Sequence, residues 1–215
     1  IPWMILIRLL KQLPGYWPLY NPLLFNRKPG FFDASVHLKG VTNSGGRFIV
    51  LAYERVSREV SSDALITVSL MSPTSRGTIS MLDGEVSVSM NMLSTQADID
   101  GMRESVRELV RICNSPSVQR TMRSISVDDR GALLQDLEGL GDLELEQWIR
   151  SHLSFVSHAS SSCSSAIDAD GGLRGFANVT IADASGLPTV PSETPAASVT
   201  IEATRIGRSL GGKLA

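Results

Sequence analysis

Residues that build metal sites, disulfide frameworks and nucleic-acid surfaces are scarce in this sequence. The 215 residues include two cysteines, and the spacing of Cys113 and Cys163 fits neither a paired metal-ligand motif nor a disulfide framework. The 20 basic and 22 acidic residues give a formal net charge of −2 and form no dense Lys/Arg block. We therefore expect neither a bound metal nor a nucleic-acid partner, and the cysteine usage leaves the compartment open.

Long apolar runs are missing as well. The opening apolar stretch lies in residues 3–12, where two basic residues interrupt about ten positions, too few to span a bilayer. It predicts a short helix that packs on a core in preference to a membrane surface or a subunit contact, so membrane contact is not expected. Residues 16–30 predict an irregular aromatic loop, and residues 1–32 form one amino-terminal region. The first residue, Ile1, is not Met, which suggests a fragment or a processed product.

Between residues 33 and 91 the apolar residues alternate with polar ones, which indicates β-strands separated by Gly, Ser, Asn and Pro. Five segments carry the pattern: ASVHLKG, RFIVLAYERVS, DALITVSLMS, GTISML and EVSVSM. They predict a mostly antiparallel sheet with short turns at 44–46 and 82–84. In the last segment Val86, Val88 and Met90 alternate with serines, so we expect one buried face and one solvated face.

From Thr95 to Asn114 the apolar period changes to that of a helix. Ser94 or Thr95 can cap its start, and Asp98 suits the positive end of the helix dipole. The buried face is expected to hold Ile99, Met102, Val106, Leu109, Val110 and Cys113. Cys113 is thus predicted to be an inert core thiol.

Two further helices are predicted at about 116–124 and 141–154. The second has an apolar face of Leu143, Leu145, Trp148, Ile149 and Leu153. With the strands, these helices predict an α+β domain over residues 33–157, a mostly antiparallel sheet flanked by helices. Nothing in the pattern of that domain identifies a chemistry.

Residues 158–215 carry more information, beginning HASSSCSSAIDADGGLRGFANVTIADASGLPTVPSETPAAS. This layout resembles the carboxy-terminal signature of the glucose-methanol-choline (GMC) oxidoreductases. In that family a His opens a small-residue turn ending in Cys, an acidic segment follows, and a Pro-containing stretch leads into a final helix. The matching positions are His158, Cys163, Ile167, Asp168, Gly175, Asn178, Asp183, Ala184, Ser185, Pro188, Pro191 and Ser192. Upstream, Ser75-Arg76-Gly77-Thr78 is similar to a strand entry in the family's substrate-binding domain.

The resemblance implies a substrate-binding domain over residues 33–157 and a flavin-contacting segment with a final helix over residues 158–215. It implies FAD as cofactor and oxidation of the CH–OH group of a small alcohol, a sugar or a sterol-like substrate. No GxGxxG motif follows a strand in this sequence, although the family binds the adenosine end of its flavin there. The implied partner is therefore an amino-terminal FAD-binding half of the same protein, which residues 158–215 would complete.

By the same resemblance, His158 is the expected catalytic residue. Hydride transfer from an alcohol requires the hydroxyl proton to leave, and an imidazole can accept a proton near neutral pH. Thr194 stands where the family has a second His or Asn, and a threonine hydroxyl can donate a hydrogen bond but accepts a proton poorly. Either Thr194 substitutes, or a gap moves another residue into place, or the enzyme is impaired. His37 and His152 have no such match and are expected to be structural.

Five residues are expected to contact the flavin: Asp183, Ala184, Pro195, Ala196 and Ala197. Asp183 and Ala184 match the family's contact with the ribityl-pyrophosphate portion, although an Asp here would equally serve as a turn cap. Pro195 has no amide hydrogen, so the amides of Ala196 and Ala197 are left to donate to a flavin carbonyl. They stand at the start of a helix expected over residues 197–208, whose dipole favours negative charge there.

The turn after His158 departs from the family pattern. The family's Gly-Thr-Cys is Ser161-Ser162-Cys163 here, and loss of the glycine is expected to shift the loop that aims His158. Cys163 is expected to pack and not to act as a nucleophile. With Thr194, this departure supports a second hypothesis, a non-catalytic relative that serves as a binding or interaction module.

Overall fold

The computed structural model describes residues 33–54, 64–120, 133–155 and 158–214. The helix expected at 3–12, the loop at 16–30 and residues 121–124 lie outside the described residues. The described part divides into two compact units. Of the described residues, the first unit contains 33–54, 64–70, 101–120 and 133–149, and the second contains 71–100, 150–155 and 158–214.

Five strands follow one another along the chain. They are β1 (Asp33–Val41), β2 (Arg47–Glu54), β3 (Ala64–Met71), β4 (Thr78–Leu82) and β5 (Glu85–Ser89). The expected strands and the turns at 44–46 and 82–84 are confirmed. They form two sheets, however, one ordered β1-β2-β3 and one made of β4 and β5 alone. The expectation of a single sheet was wrong, because the irregular segment 72–77 separates β3 from β4 and begins with Ser72 at a φ of 59°.

The first unit contains the three-stranded sheet. In β2 the consecutive residues Phe48, Ile49 and Val50 are all buried, so both faces of this strand are covered at its centre. The β1–β2 turn is joined to the following helix by Ser44, whose backbone N–H and Oγ both donate to Oε2 of Glu104, at 3.0 and 3.2 Å. The central strand therefore contributes three residues to the core of this unit.

All the described helices except the four-residue helix Pro116–Gln119 contain buried residues. The helices are α1 (Gln96–Cys113), α2 (Pro116–Gln119), α3 (Leu134–Glu138), α4 (Asp142–His152) and α5 (Ala196–Leu214). On α1 the buried face holds Met102, Val106, Val110 and Cys113, as the helical period predicts. Burial raises the pKa of the Cys113 thiol, which agrees with an inert core residue. On α4 Leu145 and Ile149 are buried, but Leu143 is exposed, so its assignment to the apolar face was wrong.

The second unit contains the β4–β5 ribbon and the carboxy-terminal segment. The ribbon is antiparallel, with Ile79 opposite Val88 and Met81 opposite Val86. Every residue of both strands is exposed, so the expectation that one face of β5 is buried was wrong. The alternation of Val86 and Val88 with serines does create two chemically different faces, but no described element covers the apolar one.

Candidate functional site

Asp98 fixes the segment that leads into the ribbon. Its Oδ1 accepts hydrogen bonds from the backbone N–H and the Oγ1 of Thr74, both at 2.8 Å, and its Oδ2 accepts from the N–H of Ser75 at 2.7 Å. Thr95 caps the start of α1, because its Oγ1 accepts from the N–H of Asp98 at 3.4 Å. The cap was expected from the sequence, but the hydrogen bonds from Thr74 and Ser75 to the Asp98 carboxylate were not.

The loop that begins at His158 is attached to the turn that contains Asp183 and Ala184. The N–H of Ser161 donates to the carbonyl of Ala184 at 3.0 Å, and the N–H of Cys163 donates to the carbonyl of Ser185 at 2.8 Å. The two segments are about twenty residues apart in sequence. The structure therefore brings the expected catalytic loop and part of the expected cofactor segment together.

Asp183 is the cap of a short 3-10 helix, Ala184–Gly186. Its Oδ1 accepts from the backbone N–H of Ser185 at 2.8 Å and from the Oγ of the same residue at 2.6 Å. The Ser185 hydroxyl, followed by the Ser185 amide, holds the pKa of the Asp183 carboxyl below its usual range. The turn-cap reading of Asp183 is confirmed. Within the described part of the chain Oδ2 receives no hydrogen bond and is available to a hydroxyl group from outside.

Ser161 occupies the position of the family's glycine and keeps a glycine-like backbone. Its φ is 69°, in the left-handed region that costs a residue with a side chain about 1–2 kcal/mol. Its Oγ is buried and has no hydrogen-bond partner in the structure. The turn therefore retains the shape for which glycine is suited, with a serine that fits it poorly.

The side chains of His158 and Thr194 are exposed. Neither the imidazole of His158 nor the hydroxyl of Thr194 makes a hydrogen bond to any residue that the structure describes. The backbone carbonyl of His158 accepts from the Oγ of Ser160 at 3.0 Å, which fixes the backbone beside the imidazole. Both side chains are thus free to bind something outside the described residues.

Helix α5 begins one residue earlier than expected and extends further, to Leu214. Its first internal hydrogen bond runs from the N–H of Val199 to the carbonyl of Pro195 at 2.8 Å. The amides of Ala196 and Ala197 precede this bond and have no acceptor among the described residues. Two donors therefore point out of the amino end of this helix.

Packing of Ile206 holds α5 against the segment before the Asp183 turn. Ile206 is 1% exposed. Gly171 lies beside it, and a side chain there would place its first carbon 2.8 Å from Cδ1 of Ile206 and 2.7 Å from the carbonyl oxygen of Ile181. Gly171 has a φ of 82°, so both its backbone and its surroundings require glycine. The Oγ of Ser209 adds a hydrogen bond to Oδ1 of Asp170 at 3.1 Å.

The described residues lack a metal-binding cluster and a membrane-spanning helix. No group of three or more His, Cys, Asp or Glu side chains there could hold a metal ion. Among the helices of the same residues, none combines the length and the apolar character that crossing a bilayer requires.

The described residues form a two-unit α+β fold in which the turn after His158 is hydrogen-bonded to the turn that Asp183 caps. Residues 73–203 match a family model described as GMC oxidoreductase, and the chain belongs to this family. It is 25% identical over 133 residues to an oxygen-dependent choline dehydrogenase of Vibrio vulnificus, a match that covers 56% of this chain and 22% of the relative. Its fold resembles that of pyridoxine 4-oxidase from Mesorbium loti, with a TM-score of 0.62 and 17% identity over 75% of this chain and 34% of that one. The chain thus spans about a fifth of the curated relative's length and about a third of that solved structure.

Proposed function

We propose that this chain supplies the carboxy-terminal part of an FAD-dependent oxidoreductase that acts on the CH–OH group of a small alcohol, a sugar or a sterol-like donor. Membership of the GMC oxidoreductase family supports an alcohol-type oxidoreductase. The observation that carries the finer proposal is the pair of hydrogen bonds joining the His158 loop to the Ala184–Ser185 backbone. An amino-terminal FAD-binding half of the same protein would complete the enzyme.

His158 is proposed as the proton acceptor. Its imidazole is exposed and makes no hydrogen bond to another described residue, so a substrate hydroxyl can reach it without displacing one of those residues. As the C–H bond of the alcohol breaks, the hydroxyl proton passes to an imidazole nitrogen, and the product is the carbonyl compound. Thr194 is proposed to donate a hydrogen bond to the substrate oxygen, because its hydroxyl is exposed and has no partner in the part of the chain that the structure describes.

The donor and acceptor groups of the second unit fit FAD. When bound, FAD would supply the electron acceptor for the hydride. The amides of Ala196 and Ala197 would donate to a carbonyl of its ring, and Pro195, which lacks an amide hydrogen, would leave that end of the helix open. Oδ2 of Asp183 would accept from a ribityl hydroxyl, with Ala184 beside it. These exposed groups support the cofactor assignment, because each one has a donor or an acceptor that a ligand of matching polarity can meet.

A second candidate is a non-catalytic relative that keeps the scaffold as a binding module. The strained Ser161 turn beside His158 favours it, together with Thr194 at the position where the family has His or Asn. This candidate predicts no proton transfer by His158 and no alcohol-dependent reduction of flavin.

The test compares His158→Gln with His152→Gln in the complete gene product. His152 is also exposed and lies only six residues away, so its substitution controls for loss of a surface imidazole. Flavin content is read by visible absorption, and anaerobic flavin reduction is followed by stopped flow. The alcohol panel includes choline and pyridoxine, for which the two relatives are named. We expect His158→Gln to lower the reduction rate by about 10²–10⁴-fold at unchanged flavin content, and His152→Gln to leave it unchanged.

Two results would contradict the proposal. Equal reduction rates in both variants would remove His158 as the proton acceptor. A complete gene product that binds no flavin would remove the oxidoreductase proposal and leave the binding module.

A further inference from the structure

Asn178, Val179 and Thr180 form an N-x-Thr sequence, the acceptor pattern for asparagine-linked glycosylation in secreted proteins. Every other asparagine in the chain lacks a Ser or Thr two positions further on. A three-residue pattern also recurs by chance, so its structural setting decides whether it can serve as an acceptor.

The pattern lies on an exposed, closed loop of the second unit. The N–H of Leu173 donates to the carbonyl of Val179 at 2.9 Å, which closes the loop. Gly175, with a φ of 84°, turns the chain between them. Every residue over the range 174–180 is exposed. A modifying enzyme can therefore reach this loop in the second unit as the structure describes it.

The local backbone does not require asparagine at position 178. Turns favour asparagine because it tolerates a left-handed backbone and because its side chain bonds to nearby backbone groups. Asn91 shows both features, with a φ of 47° and an Nδ2 that donates to the carbonyl of Arg76 at 2.9 Å. Asn178 has no positive φ, and its side chain makes no hydrogen bond to any residue that the structure describes. Its amide nitrogen is therefore accessible and has no role in shaping the described loop.

The hydroxyl of Thr180 meets the second requirement of the pattern. Thr180 is exposed, and its Oγ1 has no hydrogen-bond partner within the described ranges of the chain. The residue between the two, Val179, is not proline, which the pattern excludes. The amide and the hydroxyl that define an acceptor are thus both presented to solvent.

We propose that Asn178 is a site of asparagine-linked glycosylation. Nδ2 of Asn178 would attack the anomeric carbon of an oligosaccharide carried on a lipid pyrophosphate. A C–N bond forms, the C–O bond to the pyrophosphate breaks, and the lipid pyrophosphate leaves with the bonding electrons. The amide nitrogen gives up one proton, and no group is oxidised or reduced. The proposal is independent of bound flavin and requires that the complete protein enter a secretory compartment.

The first experiment maps the modification in the complete gene product purified from its natural source. Peptides are treated with peptide N-glycosidase in water enriched in heavy oxygen, which converts a glycosylated asparagine into a labelled aspartate. Mass spectrometry then locates the label. Asn91 and Asn114, whose side chains donate to Arg76 and Glu138, are controls in the same digest. We expect the label at position 178 in most molecules and at neither control.

Three variants separate the acceptor pattern from the loop that carries it. Asn178→Gln and Thr180→Ala each destroy the pattern, whereas Thr180→Ser retains it. When the complete product is secreted from eukaryotic cells, we expect the first two to lose the glycan mass and Thr180→Ser to keep it. Circular dichroism checks that all three fold, as expected for substitutions of exposed side chains.

An unlabelled Asn178 in the protein from its natural source would overturn the proposal. A glycan mass that persists in Asn178→Gln would also overturn it, because the sugar would then be attached elsewhere. Neither result bears on flavin reduction, so the proposed function is tested separately.

Discussion

The segment at Thr74–Ser75 and the turn at Ser161 are both irregular backbone in the second unit. They differ in whether the buried polar group at each place makes hydrogen bonds. At the first, one carboxylate that is 3% exposed accepts three hydrogen bonds of 2.7 to 2.8 Å. At the second, a left-handed serine buries a hydroxyl without a partner. The first segment precedes the ribbon, and the second carries His158.

Hydrogen bonds compensate the burial of the Asp98 carboxylate, but none compensates the burial of the Ser161 hydroxyl. A buried charge is tolerated only when hydrogen bonds compensate its lost hydration, and Asp98 has that compensation. An unsatisfied buried hydroxyl costs about 1–3 kcal/mol, and Ser161 carries that cost in addition to its backbone strain. We therefore expect changes at these two residues to have opposite signs.

The largest effect is expected at Asp98. Asp98→Ala leaves the amides of Thr74 and Ser75 without acceptors, and we expect the free energy of unfolding to fall by about 2–3 kcal/mol in urea titrations followed by circular dichroism. Glu85→Ala, at an exposed end of β5, is the control and should change it by less than about 0.5 kcal/mol. Equal effects of the two substitutions would contradict this expectation, because Asp98 would then contribute no more than a surface carboxylate.

A smaller effect of the opposite sign is expected at Ser161. Ser161→Gly relieves the left-handed strain and removes the unpaired hydroxyl, but it makes the unfolded chain more flexible. We expect a net gain of about 1–2 kcal/mol in unfolding free energy, measured in the same titrations. Ser161→Ala removes only the hydroxyl and should gain less. A loss of stability in Ser161→Gly would show that the hydroxyl has a partner outside the described residues.

Local chemistry made part of this arrangement predictable from sequence. The helical and strand periods identified α1 and the five strands, and the Thr95 cap follows from its position before an apolar helical face. Asp183 followed two residues later by Ser185 is a turn signal of the same local kind. Each of these features depends on residues that are close together in the chain, so the sequence alone is enough to predict it.

Features that depend on distant residues were not predictable. The hydrogen bonds from Thr74 and Ser75 to Asp98 join residues more than twenty positions apart, and no local sequence pattern predicts them. The alternation around Val86 and Val88 shows that a ribbon has two faces but does not say what covers them. The family resemblance identified the position of Ser161, while its left-handed backbone became known only from the structure.

The smallest effect is expected in the pH dependence of the stability that Asp98 contributes. Burial alone would raise the pKa of Asp98, but the hydrogen bonds from Ser75 and Thr74 outweigh it and lower the pKa below its ordinary value. A carboxyl with a lowered folded pKa stabilises the protein fully above its unfolded pKa, about 3.9, and loses that contribution as pH falls through the folded value. Asp98→Asn removes this titration and leaves Asp183 in place. The difference in unfolding free energy between the parent and this variant should therefore be constant from about pH 7 to about pH 5 and shrink below about pH 4. A difference that grows on acidification would mean that the folded carboxyl binds its proton more tightly than the unfolded one. That result would contradict a hydrogen-bonded anion at Asp98, the feature that distinguishes this segment from the Ser161 turn.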